Sequence, residues 1–111
     1  MSRLGEGKVE IELGGERVVL SPSIEAAEAI GPILTVWDQV QLFDVKAYLL
    51  TIAAGSGFDA AQMRELRPAI FENMTKLREA LTVYLATLLN GGRPPPQPAN
   101  PEEAGSAPGE G

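Results

Sequence analysis

The sequence predicts an α+β domain: an N-terminal β-hairpin packed on a small bundle of about five α-helices, followed by a disordered C-terminal tail. Three observations carry this reading. Apolar and polar residues alternate on both sides of Gly14-Gly15, the period of a half-buried strand. Between Ser23 and Leu89, apolar side chains recur at helical spacing, punctuated by capping residues and stop signals. From Gly91 onward, Gly and Pro supply 11 of 21 residues, with no aromatic and no β-branched side chain. The 111 residues suit one domain, divided into a flexible N-terminus (1–7), a hairpin plus helical domain (8–90) and a disordered Pro/Gly-rich tail (91–111).

In the first strand Val9, Ile11 and Leu13 alternate with Lys8, Glu10 and Glu12. Gly14-Gly15 supplies the positive φ angles of a tight primed turn, and the return strand runs from Arg17 to Leu20. The charges at Lys8, Glu10, Glu12, Glu16 and Arg17 read as protection of the hairpin edges. In Ser21-Pro22-Ser23 either serine serves as the cap of the first helix. Ile24, Ala27, Ile30, Leu34, Trp37 and Val40 keep helical spacing, interrupted by Gly31-Pro32, so a short helix, a break and a second helix over Ile33 to Leu42 are expected. Asp44 caps a third helix with Val45, Tyr48, Leu49, Ile52 and Ala53 on one stripe, closed by Gly55-Ser56-Gly57. Asp59 caps a short fourth helix ending near Leu66, and Pro68 opens a fifth. There Ile70, Met74, Leu77, Leu81, Tyr84 and Leu88 step along one face, with Leu85 and Leu89 widening it and Phe71 and Val83 off its centre. Asn90-Gly91-Gly92 is the stop.

The chemistry of catalysis is sparse. His and Cys are both absent, which removes the commonest general base, thiolate nucleophiles and zinc–sulfur sites. Glu65 with Glu72 is the nearest approach to a carboxylate pair, and both read more simply as surface charge on a helix. Gly5-Glu6-Gly7-Lys8 lacks phosphate-loop spacing and precedes a strand instead of following one, and Gly55-Ser56-Gly57 suits a helix end. The chain therefore reads as a binding protein and not an enzyme, with no catalytic residues, cofactor or metal. The net charge of −6 and the scattered cations disfavour nucleic acid. No apolar run is long enough for a membrane span, and residues 1–7 carry no signal-peptide pattern, so a cytoplasmic location is expected. Trp37, Tyr48 and Tyr84 lie at core-facing positions. A packed tryptophan is the default for Trp37, and an exposed anchor for a partner is the alternative.

The order of these features carries a resemblance. Gly5-Glu6-Gly7-Lys8-Val9-Glu10-Ile11-Glu12-Leu13-Gly14-Gly15, then Val19-Leu20-Ser21-Pro22-Ser23, runs directly into Ile24-Glu25-Ala26-Ala27-Glu28-Ala29-Ile30. With the Val45 to Gly57 block and the Leu-rich last helix, this resembles the tail assembly chaperone family of siphophages and gene transfer agents. The resemblance implies a bacterial or prophage-encoded chaperone that binds the tape-measure protein while the tail tube assembles, and that is absent from the finished particle. Contact with the tail tube protein and homo-oligomerisation belong to the same expectation. A structural tail (tube) component is the alternative, and a small ligand-binding protein or enzyme ranks below both. Trp37, Phe71, Val83, Leu85 and Leu89 are the expected partner-binding residues.

Overall fold

The computed structural model describes residues 2–4 and 7–93, with side chains from Gly7 onward. The expected disordered tail thus lies outside the described residues from residue 94 on. The elements are β1 (Ser2–Leu4), β2 (Lys8–Leu13), β3 (Glu16–Leu20), α1 (Ile24–Ile30), α2 (Ile33–Gln41), α3 (Val45–Ser56), α4 (Ala60–Glu72) and α5 (Met74–Leu89). The hairpin and five helices match the α+β architecture that the sequence predicts.

Gly14 and Gly15 take φ of 57° and 83°, the conformation that lets a two-residue turn follow the twist of its strands. Leu13 therefore faces Glu16, and Ile11 and Val9 face Val18 and Leu20. All of these apolar side chains are buried on one face of the sheet. A third strand differs from expectation: Ser2–Leu4 pairs antiparallel with β2, placing Arg3 opposite Val9. That part of the 1–7 segment is thereby tied to the sheet, and β2 becomes the central strand.

The edge at β3 is closed at its far end. The Ser21 N–H donates to the Gly55 carbonyl at 2.9 Å, and the Ser21 carbonyl accepts from the Tyr84 hydroxyl at 2.7 Å. Both backbone groups of Ser21, at that end of the edge, are thus withheld from an added strand. Gly55 is helical and buried, and a Cβ there would sit 2.9 Å from the Leu20 Cβ and 3.0 Å from the Tyr84 ring. Gly55 is therefore a packing position and not part of the stop; Gly57, at φ 76°, ends α3.

Local signals fixed most helix boundaries. Ser23, not Ser21, caps α1 by accepting from the Ala26 N–H at 2.9 Å. Asp44 caps α3, and Asp59 and Gln62 form a reciprocal capping box on α4. The end of α2 is less usual. Asp44 N–H donates to the Gln39 carbonyl and Phe43 N–H to the Val40 carbonyl, the pairing of a Schellman motif. The left-handed position in it, normally glycine, is Phe43 at φ 61°. Arg78 lies 5.4 Å from the Phe43 ring centroid, and Tyr48 stacks with that ring at 6.4 Å. At the end of α5 the same motif carries Gly91, at φ 73°.

The fourth and fifth helices depart from expectation. α4 continues through Pro68 to Glu72, and the break falls at Asn73. Pro68 has no N–H for the Arg64 carbonyl, but it is exposed, where water can meet that carbonyl. Asn73 instead turns the chain, donating from its side chain to the Ala69 carbonyl at 2.7 Å. Ile70 and Met74 both remain buried across the break.

The core lies between the sheet and α3, α4 and α5, with α1 and α2 completing it. Tyr48 and Tyr84 are fully buried with satisfied hydroxyls, Tyr48 donating to the Val40 carbonyl at 2.9 Å. The buried Thr51 and Thr87 hydroxyls each donate to the carbonyl four residues earlier, so neither leaves an unmet polar group in the core. Among the described residues no helix is long and apolar enough to cross a membrane.

Candidate functional site

Catalytic geometry does not form around the carboxylates the sequence offers. Glu65 and Glu72 are both exposed on α4. Among the described residues no group of three or more His, Cys, Asp or Glu side chains converges as a metal site would require. A cleft of about 540 Å³ between the hairpin and the start of α5 is lined by Glu10, Glu12, Arg17 and Lys76. Arg17 Nε meets Glu10 Oε2 there at 2.8 Å, with the arginine side chain largely in solvent. The arginine end of the pair is thus screened by solvent, while the Glu10 oxygen is buried.

The informative surface is apolar. Gln41 donates to Thr82 at 2.7 Å, and Arg78 covers Phe43 just beyond the end of α2. Residue numbers rise along α2 as they fall along α5, so the two helices run antiparallel. Trp37 and Leu34 lie one and two turns before Gln41, and Leu89 lies two turns after Thr82. Helical spacing from these contacts places Leu34, Trp37 and Leu89 along the same α2–α5 seam. Leu34 is 61% exposed and Leu89 51%, with Trp37 half-buried between the helices. The Trp37 indole N–H is shut off from solvent without an acceptor, an unmet donor that costs about 1–3 kcal/mol.

The five expected contact residues do not form one surface. Trp37 and Leu89 share the seam. Val83 is half-buried and is rotated by about 100° from Thr82 around α5, which puts it on the opposite flank. Leu85 is a correction: it is 0% exposed and is a core residue, because the buried arc of α5 extends round to it from Leu81 and Leu88. Phe71 is 65% exposed but belongs to α4, on another side of the molecule.

Leu34 is the residue that sequence periodicity misplaced. It keeps helical spacing with Trp37 and Val40 beyond the expected Gly31-Pro32 break, yet in α2 Val36 and Val40 are buried while Leu34 turns outward. Ile24, also counted at helical spacing, is exposed in the first turn of α1.

Among known proteins, no family model, no curated protein and no solved structure matches the chain.

Proposed function

We propose that this chain is a tail assembly chaperone of a phage-like particle, acting in the bacterial cytoplasm and binding the tape-measure protein until the tail tube encloses it. The observation that carries the reading is the α2–α5 seam. Two large aliphatic side chains stand in solvent beside a tryptophan whose N–H lacks an acceptor. An exposed apolar strip between two helices suits the apolar stripe of a third. Trp37, half-buried with part of its ring still to be covered, is the type of residue on which binding energy concentrates. The order of hairpin, Ala/Glu-rich helix and Leu-rich helix supports the choice of family.

Co-expression with the tape-measure protein of the same particle tests this. The two should copurify, the tape-measure protein should become more soluble, and Leu34→Asp with Leu89→Asp should weaken the complex at least about tenfold, a loss of roughly 1.4 kcal/mol. Recovery of the chain in finished particles, without copurification, would identify it as a structural tail component.

A further inference from the structure

We infer that the groove between α3 and α4 is a second docking site, and that its occupant is an acidic amphipathic helix of a partner protein. The inference goes beyond the tape-measure reading and holds whichever protein supplies the helix.

The first ground is the sidedness of α3. A helix with apolar residues all round is normally enclosed on all sides. The inner side of α3 is enclosed: Ala47, Tyr48, Thr51, Ile52 and Gly55 are buried. Its outer side carries Leu49, Leu50 and Ala53, with Leu50 37% exposed and the other two partly buried. Lys46 is the only charged residue in the helix. The described chain covers that side only in part, leaving Leu50 exposed and Leu49 and Ala53 half-buried. Across the Gly57–Asp59 connection α4 folds back alongside it, and Ala60 and Met63 complete the apolar floor of a groove of about 370 Å³.

The second ground is charge. Arg64 and Arg67 line the same groove. Helical spacing puts Lys46 one turn before Leu50 on the α3 side and Phe71 one turn beyond Arg67 on the α4 side. The acidic residues of α4, Glu65 and Glu72, each stand about 100° further round the helix from Arg64 and Phe71, away from the groove. A chain of net charge −6 thus presents a locally cationic rim around an apolar floor. An anionic flank on the incoming helix complements that rim, and a cationic one would be repelled. From Ala60 to Phe71 the floor and its margin run about 16 Å, room for roughly three helical turns.

The test uses the full-length protein and two synthetic helical peptides of roughly four turns, each with a leucine stripe at i, i+3 and i+7. One has glutamates flanking the stripe and the other lysines. The glutamate peptide should bind, and it should shift the methyl NMR signals of Leu49, Leu50 and Met63 while leaving those of Leu34 and Leu89 in place. The variant Arg64→Glu/Arg67→Glu changes only exposed side chains. It should lose about tenfold in affinity for the glutamate peptide and gain for the lysine peptide. Equal binding of both peptides to the unaltered protein would overturn the inference, as would no binding or shifts confined to the α2–α5 seam. If Glu102→Lys/Glu103→Lys shifts the same methyl signals with no peptide added, the chain's own acidic segment is the occupant, and the partner-helix assignment fails. Failure of the groove leaves tape-measure binding at the seam untouched, and shifts confined to the seam would sink the groove while agreeing with the seam, so the two readings fail separately.

Discussion

Helices α3 and α5 are both rich in apolar residues and both reach the sheet, yet they spend those residues differently. In α5 the buried side chains form one arc from Ala80 and Thr87 round to Leu85, and apart from Leu89 in the last turn the exposed residues, Thr75, Lys76, Arg78 and Glu79, are polar. Its apolar face is matched by cover from β2, α2, α3 and α4. In α3 the buried side combines Tyr48 and Ile52 with a row of small or polar residues, Ala47, Thr51 and Gly55, spaced by four, while leucines stand on the open side. The small residues let β3 and the Tyr84 ring approach the α3 backbone. The difference teaches that a leucine count does not identify the core side of a helix. Closeness of approach decides which residues lie innermost, and at Gly55 only a residue without a Cβ fits.

The strongest way to break this comparison is to place a charge on each helix. Leu85→Asp buries a carboxylate in the core and should destabilise by more than about 4 kcal/mol, leaving little folded protein in urea titration. A stable, folded Leu85→Asp protein would show that the α5 arc is not packed as described.

Gly55→Ala tests the close approach itself. Overpacking against Leu20 and Tyr84 should cost about 1–3 kcal/mol, read as a lower urea midpoint with an unchanged slope. An alanine accepted at no cost would place α3 further from β3.

Tyr84→Phe removes the hydroxyl that satisfies the Ser21 carbonyl and should cost about 1–2 kcal/mol. It also carries a pH signature. Burial pushes the Tyr84 hydroxyl up to about 12 from its ordinary value of 10. The unfolded chain therefore loses this proton first, and between pH 10 and 12 folding stability falls as pH rises, with the full contribution present below pH 10. Thermal unfolding followed across that range should show a shallower decline in the Phe variant than in the parent.

The smallest effect is expected on the open side of α3. Leu50→Asp should change stability by no more than about 0.5 kcal/mol, while diminishing any binding in the α3–α4 groove. A large loss of stability there would mean that the outer side of α3 is covered after all, and the contrast with α5 would disappear.

Much of the fold was legible in the sequence because its signals act over a few residues. Gly14-Gly15 determined the turn by allowing two positive φ angles, and alternation then put Val9, Ile11, Leu13, Val18 and Leu20 on one face. Asp44 and Asp59 began α3 and α4 through bonds to amides two or three positions away, and Gly57 and Gly91 ended α3 and α5 with left-handed backbone. The buried tyrosines were legible from helical spacing. The core-facing spacing of Trp37 agrees with its half-buried place, and Leu89, which widens its stripe, is exposed.

What only the tertiary structure decided depends on neighbours distant in the chain. Whether Leu85 is core or surface is set by how far round α5 its partners reach, and no property of the helix alone reports that. Leu34 faces out because packing buries Val36 and Val40 on the other side of α2. Pro68 is tolerated inside α4 because its side of the helix faces water, and Asn73 makes the turn that the proline seemed to mark. Phe43 holds a glycine-like conformation with Arg78 and Tyr48 against its ring. The hairpin, the turns and the caps follow from dihedral preferences and short-range hydrogen bonds, which the sequence carries in itself. The seam and the groove are surfaces left over once distant elements have packed, and they exist only in three dimensions.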